Sequence, residues 1–176
     1  MLAGGLGCPN CRDRFPVADG FADLRAPPRS PLPMPAAPAS PEAESSAQLA
    51  ALLGVSEGPG HVALVGALAA HADALADRIP GVEVVAVDAG MRAATEREGV
   101  SRLVAGSDLP FQPWTFRALA ADGTRARPEE WARLVGRGGR IVISRPEEDA
   151  AERLERAGTR LLLRQPDWIV ALVETS

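Results

Sequence analysis

Residues 61–88 read HVALVGALAAHADALADRIPGVEVVAVD, and the architecture of the chain is inferred from this run. A short apolar segment comes first, followed by apolar residues at helical spacing. After Pro80-Gly81 the run becomes almost continuous valine. This pattern predicts a strand, a helix and a strand that is buried on both faces. Crossovers of this kind are right-handed, so the two strands are parallel. Gly66 and Asp88 then lie side by side at the carboxyl edge of the sheet.

Those two positions predict a degraded ligand site. In nucleotide-binding units of this type the first turn is rich in glycine, because backbone amides must approach the ligand. An acid after the second strand accepts hydrogen bonds from ribose hydroxyls. Asp88 fits the acid, although a helix cap is the alternative role for it. The turn reads GALAA from Gly66, with one glycine where a GxGxG pattern has three. We expect the scaffold of the site to persist and the ligand-contacting part to be filled.

Composition narrows the class of protein. The 176 residues, 46% of them hydrophobic, are enough for one α/β domain with an appendage. A net charge of −4 argues against a nucleic-acid surface as the main function. All 19 basic residues are arginine and there is no tyrosine, which excludes lysine Schiff-base and tyrosine acid chemistry and indicates a GC-rich, bacterial genome. Neither a signal peptide nor a membrane-length apolar span is evident, so we expect a cytoplasmic protein.

The N-terminal 25 residues contain the only cysteines, Cys8 and Cys11, in a C-P-N-C knuckle that can supply two thiolates to a tetrahedral zinc ion. The pattern C-x-x-C-x-x-x-F-P-V-x-D-G, with a following leucine, resembles the second half of the zinc-ribbon family that activates tRNA and protein methyltransferases. The matching residues are Cys8, Pro9, Cys11, Phe15, Pro16, Val17, Asp19, Gly20 and Leu24.

That ribbon normally has an earlier CxxC, whereas only seven residues precede Cys8 here. A structural zinc site needs four ligands, so half a site is present. Three explanations stay open: the start codon is placed too late, the ribbon is a metal-free remnant, or two chains share one zinc.

Residues 26–41 hold seven of the 16 prolines and are predicted to be an extended linker. We therefore divide the chain into a partial zinc-ribbon-like segment (1–25), a linker (26–41) and an α/β domain (42–176). Within the last, we predict helices over 42–55, 91–98, 128–135 and 146–157, with residues 136–139 ending the third. Strands are predicted over 100–104, 116–121 and 140–144, and a closing hairpin over 159–164 and 168–173.

The order of these elements resembles the class I SAM-dependent methyltransferases, in which an antiparallel strand closes the sheet. The run from Glu130 to Ile143, with its L-x-x-G-G-R-I type ending, adds to that resemblance. It implies a Rossmann-like fold of seven strands, preceded here by a small zinc-ribbon-like β appendage.

The same resemblance assigns the cofactor positions residue by residue. Gly66 matches the first glycine of the cofactor loop, Asp88 the ribose acid and Asp108 the acid beside the adenine. Leu64 stands where the family has the acid that holds the methionine amino group. Leu68 and Ala70 replace the second and third glycines, and their side chains would project into the space of the methionyl group.

No catalytic residue is assigned. The element that supports amino-methylation after the fourth strand is missing, and neither cysteine lies in the α/β domain to act as a nucleophile. A histidine base could only be His61 or His71, and we predict His71 to be a solvated residue at the start of a helix.

The sequence therefore favours a catalytically degenerate, methyltransferase-like pseudoenzyme that acts by binding a protein partner, either an active methyltransferase or a second copy. An active SAM-dependent enzyme on a small-molecule or macromolecular substrate is the alternative. We expect neither SAM nor zinc at full occupancy, no membrane association and no nucleic-acid partner.

Overall fold

The computed structural model describes residues 4–8, 12–32, 41–123 and 127–174, and its strands form one mixed sheet. The ten strands run in the order β1-β2-β3-β6-β5-β4-β7-β8-β10-β9. Their bounds are β1 Gly4–Gly7, β2 Arg14–Ala18, β3 Phe21–Asp23, β4 Gly60–Val65, β5 Val82–Val87, β6 Val100–Val104, β7 Phe116–Asp122, β8 Val135–Ser144, β9 Thr159–Arg164 and β10 Trp168–Val173. The predicted α/β class is confirmed.

The centre of the sheet is parallel and buried on both faces. Strand β4 pairs in parallel with β5 on one side and with β7 on the other. Alternating residues of each strand point to opposite faces, so the valine-rich runs supply two separate cores. One core contains Val62 and Leu64, and the other contains Ala63 and Val65. The strand–helix–strand unit inferred from residues 61–88 is therefore the centre of the molecule.

The first two helices pack on one face of the sheet, and the last two pack on the other face. Helix α1 (Ala43–Leu53) and helix α2 (Ala72–Arg78) pack on the face that contains Leu64. Helix α3 (Pro128–Leu134) and helix α4 (Ala150–Arg156) pack on the opposite face. Among the described residues, no helix combines the length and apolar character needed to cross a membrane.

The closing hairpin is confirmed. Strand β10 pairs antiparallel with β8 and with β9. It is therefore inserted between β8, the last of the parallel strands, and β9 at the edge of the sheet. Strands β4 to β10 alone give the order β6-β5-β4-β7-β8-β10-β9, with seven strands.

The N-terminal segment does not stand apart as an appendage, and the sheet has ten strands instead of seven. Strand β3 pairs in parallel with β6 and thereby extends the sheet to β2 and β1. The backbone N–H of Leu24 continues this pairing by donating to the carbonyl of Val104 at 2.8 Å. Phe21 is buried in the core beneath α1 and α2. An edge strand presents unpaired backbone groups, and β3 satisfies those of β6. Of the predicted linker, residues 33–40 lie outside the described part.

Two predicted helices differ from the structure. The helix over 91–98 is a short 3-10 helix, Ala89–Ala93. The Met91 carbonyl accepts a hydrogen bond of 3.2 Å from the backbone N–H of Ala94, which ends the 3-10 helix, and the carbonyls of Met91 and Ala94 also accept hydrogen bonds from the Arg102 guanidinium. Helix α4 begins at Ala150, later than predicted.

Residues 136–139 do not end a helix, because they belong to β8. That strand starts at Val135, which pairs with Phe116 of β7. Helix α3 therefore ends at Leu134, and β8 begins at the next residue.

Candidate functional site at the carboxyl edge of the sheet

A cavity of about 360 Å³ opens at the carboxyl ends of β4, β5 and β6. Its volume lies within the range of small-molecule sites, roughly 300–1,000 Å³. The residues that line it are Val65, Val87, Asp88, Val104, Ala105, Gly106, Ser107, Leu109, Arg127 and Trp131. Among the described lining residues, apolar side chains are joined by one carboxylate, one hydroxyl and one guanidinium.

Asp88 lies in this cavity and also caps a helix. Its Oδ1 accepts a hydrogen bond of 2.8 Å from the backbone N–H of Gly90, at the start of the 3-10 helix Ala89–Ala93. A carboxylate has about four acceptor sites, so one hydrogen bond leaves capacity for a ligand. Both roles considered for this residue from the sequence are therefore compatible.

The first turn is closed by apolar side chains. Gly66 is buried, has φ of +70° and begins a 3-10 helix, Gly66–His71, that leads into α2. Leu64 is 0% exposed and Leu68 is 8% exposed. Both belong to the core that also contains Leu49 and Leu53 of α1. The side chains of Leu64 and Leu68 are thus core residues of the fold.

His71 is not solvated, so that prediction is wrong. It is buried, and its Nδ1 lies 2.9 Å from the hydroxyl oxygen of Ser46, which is also buried. Burial lowers the pKa of His71. The sequence places His71 at the start of a helix. In the structure, His71 ends the 3-10 helix Gly66–His71, and its ring contacts Ser46 of α1. The pair therefore ties α1 to the first turn.

Asp108 lies outside the lining of the cavity and is 72% exposed at its side chain. Its Oδ1 accepts a hydrogen bond of 2.7 Å from Nη1 of Arg127, which does line the cavity. The structure thus brings Asp88 and Arg127 to one site and places Asp108 behind the arginine. Arg127 was not identified from the sequence, since an arginine ahead of a helix-starting proline carries no distinguishing signal.

Asp122 ends β7 at the same edge of the sheet. Its side chain is 4% exposed and forms an ion pair with Arg145, which is 67% exposed and follows β8. Arg145 has φ of +48°, a conformation uncommon outside glycine. Gly123 must be glycine here, because a Cβ would lie 1.9 Å from the carbonyl oxygen of Arg145.

The proposed zinc ligands are described only in part. Cys8 is half-buried and starts the turn between β1 and β2, where its backbone N–H donates to the carbonyl of Asp13 at 3.0 Å. Cys11 lies outside the described residues. Within the described ranges, no cluster of three or more His, Cys, Asp or Glu side chains could hold a metal ion.

No protein-family model and no curated protein matches the chain. Solved structures do. A chain from the complex between the Haloferax volcanii Trm112 methyltransferase activator and a protein assigned to the methyltransferases superposes with a TM-score of 0.58 at 17% identity, covering 74% of this chain and 89% of that one. The geranyl diphosphate C-methyltransferase of Streptomyces coelicolor, bound to S-adenosylhomocysteine, superposes with a TM-score of 0.56 at 15% identity. The match covers 75% of this chain and 76% of that one.

The fold is methyltransferase-like. A third solved structure, an N-methyltransferase of Haemonchus contortus bound to S-adenosylhomocysteine, matches with a TM-score of 0.59 at 11% identity, over 75% of this chain and 53% of that one. At such identities the likeness establishes the methyltransferase-like fold and leaves activity open to experiment.

Proposed function

We propose that this chain is a methyltransferase-like protein that acts by binding a protein partner and does not transfer methyl groups. The proposal rests on one observation, the burial of Leu64 and Leu68 in the core at the first turn of the sheet. In the methyltransferase family that the sequence resembles, the methionyl part of SAM lies across that turn.

The two halves of the donor fit this chain differently. The adenosine half has a cavity of about 360 Å³ and a carboxylate, Asp88, with free acceptor capacity. For the methionyl half, Leu64 replaces the acid that would bind the ammonium group. Losing a charge-assisted hydrogen bond costs about 1.5–3 kcal/mol, and each 1.4 kcal/mol weakens binding about tenfold. SAM does not fit the site as a whole.

This difference gives a direct test by calorimetric titration of the full chain with SAM and with adenosine. Because the methionyl group gains no contacts, SAM should bind no more tightly than adenosine. No SAM binding is expected at micromolar concentrations. A micromolar dissociation constant for SAM that is abolished in Asp88→Ala would overturn the proposal.

The partner class is an active methyltransferase or a second copy of this chain. One solved relative of the fold comes from a complex with a methyltransferase activator, and this supports a role in such complexes. Co-expression with methyltransferases encoded beside this gene should yield a stable complex with raised activity. Light scattering of the purified chain alone at several concentrations tests self-association.

An active SAM-dependent methyltransferase on a small-molecule or macromolecular substrate is the second candidate. It is favoured by the buried carboxylate of Asp122, which ends β7 at the same edge of the sheet as the cavity. Radiolabelled methyl transfer that is lost in Asp122→Asn, while SAM binding persists, would promote it over the first.

A further inference from the structure

The edge of the sheet opposite the Asp88 cavity carries a glycine-rich bulge. Val135 pairs with Phe116 and Arg140 with Ala118, so residues 136–139 stand opposite Arg117 alone. These four residues read GRGG and leave the ladder. Gly138 has φ of +73°, which favours glycine, and its Cβ position is open space. A cavity of about 390 Å³ lies between the bulge, the end of α1 and residues 114–117.

Three arginines line this cavity: Arg117, Arg137 and Arg140. The Arg117 guanidinium donates to the carbonyl of Pro59 at 3.1 Å, and that of Arg140 donates to the carbonyl of Leu52 at 3.2 Å. Backbone carbonyls orient these groups without neutralising their charge.

Arg137 is exposed, and among the described residues it has no hydrogen bond or ion pair. The described residues that line the cavity include no Asp or Glu. The bulge is thus a positive patch on a chain whose net charge is −4.

Trp114 stands at the rim of the patch and is 74% exposed. Its φ of +60° is strained for a bulky residue, and its backbone N–H donates to the carbonyl of Arg133 at 3.0 Å. Trp114 also lines a second cavity, of about 430 Å³, together with Arg137 and with Glu174, whose carboxylate accepts a hydrogen bond of 2.6 Å from Arg160. Strain of this kind persists only where the surroundings enforce it, and it concentrates at binding sites.

From this juxtaposition, we propose that Trp114 and the arginines of the bulge bind a nucleotide, with its base stacked on the indole and its phosphate on Arg137. Stacking on aromatic side chains beside a cationic groove is how single-stranded nucleic acids are bound without sequence preference. Guanidinium groups match phosphate oxygens with two parallel hydrogen bonds. An acidic peptide would use the arginines but would leave the exposed indole without a role.

The site serves a free nucleotide or one unit of a single strand, since both present a base and a phosphate. The net charge of −4 opposes long-range attraction of a polyanion, so the contacts are confined to the patch. This inference does not depend on the methyltransferase-like proposal, because the two sites lie at opposite edges of the sheet.

The test is titration of the full chain with AMP, ATP and a single-stranded RNA of about eight nucleotides at low salt, followed by tryptophan fluorescence and calorimetry. Trp114 should dominate the fluorescence change, because Trp131 is buried and Trp168 is partly buried. Trp114→Ala and Arg137→Ala should each weaken binding about tenfold. Trp114→Phe keeps an aromatic face and should weaken binding less.

Arg164→Ala is the matched control, because Arg164 is exposed at the end of β9, level with the carboxyl end of β8 and away from the patch. It should leave the dissociation constant within about twofold, as expected for a remote surface charge. Circular dichroism and melting of each variant establish that the exposed substitutions leave the fold intact. Binding of the free nucleotides places the site among small-ligand sites, whereas binding of the RNA alone identifies a single-strand site; either result supports the proposal.

Three results would overturn it. The first is no binding of any of these ligands at millimolar concentration. The second is binding that Trp114→Ala leaves unchanged while Asp88→Ala abolishes it, which would place the nucleotide at the opposite edge. The third is equal affinity for a polyglutamate peptide, which would identify a surface for acidic proteins.

Discussion

Mild acid should destabilise the fold through His71. The ring is buried and contacts the hydroxyl of Ser46 at 2.9 Å, and burial lowers its pKa below 6.5. Protonation would place a charge where α1 meets the first turn of the sheet. The pKa of His71 is lower in the folded state than in the unfolded state. Between these two pKa values the unfolded chain binds more protons than the folded one, so acid favours unfolding.

The difference between the folded and unfolded pKa values of His71 sets the sign and size of the change in stability with pH. The contribution of His71 is fully favourable above pH 6.5, the pKa of the unfolded state, and is lost as the pH falls through the lower pKa of the folded state. For one proton, the free energy of unfolding changes by at most about 1.4 kcal/mol per pH unit. Because the total stability of a domain is about 5–15 kcal/mol, such a loss is measurable.

Urea unfolding of the wild type and of His71→Gln from about pH 8 to about pH 5 measures this effect, because the glutamine keeps a hydrogen-bonding group but does not titrate. Groups that the two proteins share contribute equally to both and cancel in the difference. The wild type should lose stability relative to His71→Gln as the pH falls below 6.5. A difference that stays constant, or that grows in favour of the wild type in acid, would refute the reasoning.

Three further predictions concern the edges of the sheet. Phe21→Ala should cost about 3–5 kcal/mol of unfolding free energy, because Phe21 is 4% exposed in the main core, whereas Phe15→Ala on the half-buried β2 should cost clearly less; a loss for Phe21→Ala as small as that expected for Phe15→Ala would mean that β3 does not belong to the cooperative unit. Gly139→Ala should lower stability by about 1–3 kcal/mol or more, since its Cβ would lie 2.4 Å from the carbonyl oxygen of Arg117, while Gly106→Ala, with nothing within 4 Å, should cost little; a neutral Gly139→Ala in thermal unfolding would contradict the bulge. Elemental analysis should find well under one zinc per chain, as two thiolates are half of a closed site, and stoichiometric zinc that survives mild chelation would point to a site shared between two chains.

Periodicity and turn residues were enough to predict the strand–helix–strand centre and the closing hairpin. The valine run of β5 has no polar face, and strands of that composition are stable only when helices cover both sides. The glycine at position 54 predicts the end of α1, and Gly54 adopts the left-handed φ of +67° there. The helix predicted over 91–98 is only a short 3-10 helix, Ala89–Ala93, and Arg102 of the following strand binds the carbonyls of Met91 and Ala94 at its end.

For the candidate site, the sequence determined the placement of Gly66 and Asp88 at one edge, because the handedness of the crossover permits one arrangement. It also determined that the turn after β4 has one glycine where a GxGxG pattern has three, and Leu64 in place of an acid. Only the tertiary structure decided that Leu64 and Leu68 are core residues, that His71 is buried against Ser46, and that Arg127 reaches the cavity while Asp108 stays outside it. It also decided that β3 joins the sheet beside β6. The physical reason is range: spacing and turn chemistry act over a few residues, whereas burial and edge pairing depend on segments that meet only after the chain has folded.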